Sequence, residues 1–449
     1  MPARLWPWLG LAVCALLGVA RAPELLTSPR FWAEEGSYFY AAATDPAAGW
    51  LGGLAYIPRG LAGYWLLCAS LPATLAAHWA SVESAPGVTT LFSFALWLAP
   101  LAILLTGRSL VFDTPARKAV ACALVIFAPS AIGEVWLNSI NAQVYCGLTA
   151  LVLLCEDLAV ASRRRLWVCG VLLAFCGLSG PYTSFLLFGF ALKAWWERSP
   201  RSIAFFAVVA VTAAVQLTTF AWLLREDQVA DNRFSQLHGV RSLGLALYAQ
   251  GIVPLGLKPV VRTLGAWLGL DERLQQPDGG LDLLLLVGLG AGVAAFVGWG
   301  LFDRRPRSPR NLLFVSFVSL VVFTTLFSRG GAAYGRYAVL SGAALLFLLL
   351  SCIEAGEGRA RWRSGLCAGL LALSLGVGVA GYRSDPAFRC AGCPNWESEL
   401  RRWRADPDYR PRIWPSRSPR DGPQWRVVFG EPQGPSFGYA SPEPSEPEG

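Results

Sequence analysis

The chain has 449 residues, of which 54% are hydrophobic and only 15% charged, with a mean hydropathy of +0.44. A soluble domain averages about 25% charged residues, so this composition excludes an ordinary soluble enzyme and reads as one all-α polytopic membrane bundle with a small appendage. The formal charge of +8 does not imply nucleic acid, because the basic residues fall in short loops between apolar stretches.

In chain order, apolar spans are predicted near 5–21, 58–80, 87–106, 118–133, 142–161, 166–178, 181–195, 203–224, 243–264, 281–301, 311–327, 337–354 and 364–382. A full crossing needs ~20 residues, so the shorter spans are half-helices or broken helices, about 11–13 in all. The first, with Arg4 before it and Ala20-Arg21-Ala22 after it, also suits a signal peptide; a retained span is preferred because a multi-span body follows. No internal repeat is evident, which argues against an inverted-repeat transporter. The 19 Trp suit the two bilayer interfaces.

Orientation follows from the short basic loops. Those carrying Arg108, Arg117 and Lys118, then Arg163 to Arg165, then Lys193, Arg198 and Arg201, then Arg304 to Arg310, then Arg359 to Arg363 are expected in the cytoplasm. The acidic or mixed loops, including residues 22–57, 134–141, 225–241 and 329–336 and the tail from Arg383, are expected outside. One conflict arises. Two apolar stretches, 58–80 and 87–106, separate an outside loop from the Arg108 loop, and parity allows one crossing, so 58–80 is expected to be partly re-entrant or the Arg108 loop breaks the rule. The domain reading is a membrane domain over 1–382, a small extracytoplasmic segment over 383–435 and a disordered Pro/Glu/Ser-rich end over 436–449. A short helix is expected over 395–404 and a strand over 424–429. Of the eleven Cys, nine lie in or near apolar segments and act as small hydrophobes. Cys390 and Cys393 are expected to form a local disulfide if the tail is extracytoplasmic.

Four polar clusters interrupt the apolar pattern. Glu34-Glu35 follow the first span, framed by Phe31-Trp32 and Gly36, at a membrane face where ionisable groups are costly. The bland alternative is a pair of solvated loop carboxylates. Glu134, Trp136, Asn138, Asn141 and Gln143 form a second cluster, readable as a hydroxyl-binding site or as helix capping by Asn138 or Asn141. Ser179-Gly180-Pro181 breaks an apolar run flanked on both sides by basic loops, so two half-helices are expected to meet there with free N–H groups facing a cavity, the alternative being a plain proline kink. Arg329 and Arg336, with Tyr334, Tyr337 and three nearby Gly, suit a phosphate clamp or interfacial snorkelling. There is no Gly-rich nucleotide loop and no metal-ligand cluster in the sequence.

Together these residues resemble the GT-C superfamily of integral-membrane glycosyltransferases. The resemblance is to bacterial members with a Phe-Trp-Ala-Glu-(Asp/Glu)-Gly first loop, similar in layout to the protein O-mannosyltransferases and the lipid A aminoarabinose transferase. Pro58-Arg59, Asn395-Trp396-Glu397 and Arg412-Ile413-Trp414-Pro415 also look like that group. The resemblance implies inverting transfer of a sugar from a polyprenyl-phosphate donor to a hydroxyl acceptor at the outer face of the inner membrane. Glu34 or Glu35 would be the catalytic base. Arg336, Arg329, Ser179, Gly180 and Tyr337 would hold the donor phosphate, and Glu134, Trp136, Asn138, Asn141 and Gln143 the sugar or acceptor. The acceptor would be a cell-envelope glycan, lipid or protein. No cofactor is expected, although a divalent metal is compatible. Rival readings are a lipid-linked sugar flippase, which needs no surface carboxylate, and a polysaccharide polymerase or ligase.

Overall fold

The structure is a computed structural model and describes residues 5–58, 63–128, 133–226, 228, 246–258, 301–303, 305, 307–327, 335–353, 359–383, 394–415 and 425–430. Every regular element among the described residues is helical; extended backbone appears only as isolated bridges. Arg59, Arg329, Cys390, Cys393, the 281–300 stretch and the 436–449 end lie outside the described residues. The main helices are α1 (Trp6–Arg21), α2 (Leu67–Trp79), α3 (Ala85–Thr106), α4 (Pro115–Phe127), α5 (Gln143–Leu154) and α6 (Arg163–Gly177). They continue as α7 (Leu187–Glu197), α8 (Pro200–Arg225), α9 (Pro309–Phe327), α10 (Ala338–Ser351), α11 (Arg359–Ala380) and α12 (Trp396–Ala405). By length and composition α3, α8, α9 and α11 can each cross a membrane, and the chain is an α-helical integral membrane protein.

The order of burial explains the layout. Every residue of α5 is buried, as are those of α10 from Leu340 to Leu350. A helix that is apolar all round belongs inside a bundle. These two pack together at the centre, with α3, α6 and α9 around them. By contrast α8 and α11 show large apolar side chains outward, such as Val211, Leu217 and Trp222, or Trp362 and Val379, as a lipid-facing helix should.

The basic loops gather at one end, where their cations cap helix C-termini. The Lys193 ammonium donates to Leu154 O at 2.8 Å and also to Glu156 O. Arg165 grips the Glu156 carboxylate at 2.6 and 3.2 Å, and Lys118 donates to Gly107 O. Arg117 and Arg310 donate to Ile353 O and Ser351 O, at 2.7 and 3.2 Å, closing α10. Cations at helix C-termini meet orphan carbonyls and the negative dipole end. The need to bury Glu156 against Arg165 also explains why α5 stops at Leu154, short of the expected 161. The opposite end gathers residues 31–35, 82–83, 134–141 and 336–337 with the described tail.

Among its described residues, the 58–80 stretch contains one helix, the 13-residue α2, ~20 Å long by helical rise. Its N-cap is Leu66, which bridges to Ser179, and it ends at Trp79, just before Val82, whose carbonyl accepts from Trp396 Nε1 at 2.9 Å. It therefore runs from mid-bundle to the tail end without reaching the basic end. Of the two consecutive apolar stretches, α3 alone connects the two ends.

Candidate functional site

The acidic loop is set by backbone geometry. Ala33 has φ +34°, a left-handed value that a non-glycine residue adopts only when its surroundings hold it there. From there the chain enters a π-helical turn, Glu35–Tyr40, in which every residue is buried. The two carboxylates part at this point. Glu35 is 1% exposed; its Oε2 accepts from Trp32 N at 3.0 Å and its Oε1 from Ser139 N at 2.8 Å. Burial raises its pKa above the ordinary carboxylate range, while Ser139, Trp32 and Thr89 pull the other way. Glu34 is half-buried and lies close enough to Arg336 to strengthen that cation's hold on its proton.

The second cluster faces this loop. Leu137 is another left-handed non-glycine, φ +50°, two residues before Ser139, whose amide donates to Glu35. Asn138 Oδ1 accepts from Asn141 N at 2.9 Å, and both amides donate to Glu134 O, at 2.6 and 2.9 Å. These bonds order the turn before α5 and do not cap it: the N-cap of α5 is Ala142, with no side-chain cap hydrogen bond, so neither Asn138 nor Asn141 fills the expected capping role. Arg336 donates from Nη1 to Glu134 Oε1 at 3.0 Å and to Asn141 Oδ1 at 3.3 Å. Burial works against the Arg336 charge, but Tyr337, Glu134 and Glu34 outweigh it and raise the pKa further. Trp136 is buried against Trp97 and beneath the Arg21 guanidinium, 4.6 Å from its ring centroid. It packs this region from behind.

Ser179-Gly180-Pro181 forms the tip of a helical hairpin. Both arms, α6 and α7, have their outer ends at the basic end, where Arg165 and Lys193 meet Glu156. The Ser179 hydroxyl donates to Phe175 O at 2.7 Å, and Leu67 N donates to Leu178 O at 3.0 Å. Gly180 has φ +109°, and a Cβ there would stand 2.6 Å from Gln143 Oε1. The turn therefore requires glycine twice over, for its dihedral and for the close approach.

Beside this tip lies a cavity of about 260 Å³. Its lining is mostly apolar, with Phe185, Phe188, Leu217, Phe220 and Phe323, and it carries the polar side chains of Arg336, Tyr337, Tyr64, Gln143, Ser184, Gln216 and Thr324. Phe188 and Leu217 are 53% and 57% exposed on the outer surface of the bundle, so the apolar body opens sideways, toward the lipid side. Gln143 Nε2 donates to Ile140 O at 3.1 Å, which leaves its buried Oε1 without a hydrogen-bond partner. Of the residues expected to bind phosphate, Arg336 and Tyr337 line the cavity, with Pro181 next to Gly180. Ser179 is turned to its own helix. Glu35 lies behind the loop, bonded to Trp32 and Ser139.

Two residues were not anticipated. Tyr64 lies just before the start of α2. Gln216, 3% exposed in the middle of α8, donates to Trp65 O and Gly177 O, each at 3.0 Å, and accepts from Trp65 N at 2.9 Å. It completes the backbone bonding where α2 begins and α6 ends. The available signal was a lone amide in an apolar run, since buried amides need partners. Among the described residues no group of three or more His, Cys, Asp or Glu is arranged to hold a metal ion. In comparison with known proteins, no family model and no curated protein matches the chain.

Proposed function

We propose that the chain is an inverting glycosyltransferase that moves a sugar from a polyprenyl-phosphate donor to a hydroxyl acceptor. The observation that carries this reading is the lining of the cavity: mostly apolar side chains, two of them exposed on the outside of the bundle, together with a guanidinium held by Glu134 and Asn141, and a half-buried carboxylate within electrostatic reach. A lipid phosphate has the same division, an apolar chain and one anionic head. Forked Arg donors suit phosphate, and Glu134 and Asn141 hold Arg336 in place before any ligand arrives.

In this reaction an acceptor oxygen attacks the anomeric carbon as the bond from that carbon to the phosphate oxygen breaks. Glu34 takes the acceptor's proton, and the bonding electrons leave with the phosphate, whose charge Arg336 and the Tyr64 and Tyr337 hydroxyls stabilise. Glu35 keeps the loop in place and takes no proton from substrate. Gln143 Oε1 offers an acceptor to a sugar hydroxyl. The concentration of cations at the other end favours the cytoplasm for that end, which would put this chemistry on the outer side of a bacterial inner membrane.

The test is donor binding. Wild-type protein in detergent should retain a polyprenyl phosphate by native mass spectrometry. Arg336→Ala should lose it, and Arg336→Lys should hold it weakly. Equal retention in all three would remove Arg336 from the head-group site and return it to interfacial snorkelling.

A further inference from the structure

The described part of the tail, the small C-terminal segment of the sequence reading, packs directly on the acidic loop. Trp414 N donates to Phe31 O at 3.2 Å, and Ala33 N donates to Trp414 O, so one residue of the tail holds the backbone on both sides of Trp32. The Arg30 guanidinium lies 3.3 Å over the Trp414 ring, and Phe31 meets Trp396 edge-on at 5.2 Å. Farther along, Tyr38 meets Trp425 and Tyr40 meets Phe429, while Gly430 N donates to Thr44 Oγ1 at 3.0 Å. Gly36 permits this approach, since a Cβ there would stand 2.7 Å from Ile413 Cδ1.

Isolated backbone pairs do not persist alone; something must hold residues 409–415 in register. Glu399 on α12 does so. It is 1% exposed, and it accepts from Arg412 Nη2 at 2.8 Å, from Arg412 Nε, from Arg412 N at 2.9 Å and from the Tyr409 hydroxyl. Burial alone would raise the Glu399 pKa, but these bonds bring it below the usual carboxylate range. Removing one partner of such a pair strands the other. α12 is itself anchored through Trp396 Nε1 to Val82 O and through Arg404 to Glu83.

We propose that the tail is the positioning element of the acidic loop: Trp414, latched in register by Arg412 on Glu399, holds Ala33 in its left-handed conformation and so sets where Glu34 stands. That Glu34 is the group being positioned for chemistry rests on the transferase reading; the clamp itself does not. It also accounts for Ala33. A strained residue next to a carboxylate relaxes unless its amide is fixed from outside, and the amide's acceptor here is Trp414 O, 381 positions away.

The experiment is hydrogen–deuterium exchange on the full chain in nanodiscs, for wild type, Glu399→Gln, Arg412→Lys and the exposed control Glu397→Gln. The reporter amides are Ala33 and Trp414, which bond only across the clamp, and Leu67, which bonds to Leu178 O in the bundle. Expected is a rise in exchange of about tenfold or more at Ala33 and Trp414 in Glu399→Gln. The rise should be smaller in Arg412→Lys, which keeps the charge and loses the fork, and absent in the control and at Leu67. Unchanged exchange at Ala33 in both variants overturns the clamp. Faster exchange at Leu67 as well shows general loosening and overturns it too. Where donor transfer is measurable, the same variants should lose kcat with the donor KM kept; a loss of KM alone would overturn positioning of Glu34. Wild type inactive with every donor, beside the expected exchange pattern, would instead count against the transferase reading and leave the clamp standing.

Discussion

Gln216→Leu is the sharpest test of how the broken helices are held. The substitution keeps the side chain's bulk and removes both of its polar functions. It strands the N–H and carbonyl of Trp65 and the carbonyl of Gly177, all near the cavity. A buried polar group left unpaired costs about 1–3 kcal/mol, so three set a loss of roughly 3 kcal/mol or more. In a chain of this size that is a fall in unfolding temperature of about 5 °C or more, taking 2–4 °C per kcal/mol for somewhat smaller domains. The protein carries its own assay: Cys68, Cys146 and Cys176 are buried around the same junction, and a thiol-reactive fluorophore lights up as they are exposed. Wild type and variant are compared at one heating rate, because membrane proteins often unfold irreversibly. A midpoint within about 1 °C of wild type would mean that the junction does not depend on this amide, and the argument from orphaned backbone groups would fail.

Two further substitutions address the loop and the hairpin tip. Glu35 has its pKa raised by burial, so folding is favoured by protonation: its contribution is fully present below the ordinary carboxylate pKa and is lost as pH rises through the raised value. Glu35→Gln stays neutral throughout and cannot accept from both Trp32 N and Ser139 N; its unfolding midpoint should lie furthest below wild type at low pH, with the gap narrowing as pH rises. A gap that widens with pH would reverse the sign of that shift. Gly180→Ala imposes a side chain at φ +109° and 2.6 Å from Gln143 Oε1, and should cost about 1–3 kcal/mol in the same thiol assay; an unchanged midpoint would show that the tip adapts.

Much of the bundle was legible because hydrophobic runs state helices directly. The spans around α3, α8, α9 and α11 lie where the apolar pattern ends and the basic loops begin. The Ser-Gly-Pro tip was legible for a local reason: only a break in the helix accommodates that string between two basic loops. The start of α2 was not: Leu61 to Trp65 read as a continuation of the apolar run, although Arg59, Gly60 and Gly63 make residues 58–65 less apolar than the helix itself. What sets that start is pairing with Ser179, more than a hundred positions away. The difference between Glu34 and Glu35 was equally hidden. Adjacent carboxylates look alike in a string, and only Ser139 and Trp32 distinguish them. The tail's grip on the loop was not legible, because the Trp414 backbone pairs and the aromatic contacts join positions hundreds of residues apart, and the Arg412–Glu399 pair that latches them lies inside the tail. Gln216 was not anticipated either: a lone amide in an apolar run was the available signal, and its partners, Trp65 and Gly177, follow only from the fold.

The central claim is that Glu34 takes the acceptor's proton. The direct measurement is turnover of a labelled polyprenyl-phosphate sugar by wild type and Glu34→Gln in nanodiscs, with donor binding measured on the same preparations. Loss of a general base should lower kcat by about 10²–10⁴-fold while the donor Kd stays within a few-fold of wild type. Wild-type turnover in Glu34→Gln would contradict the account. So would lipid-linked sugar crossing the bilayer without any transferred product, which is how a flippase would behave.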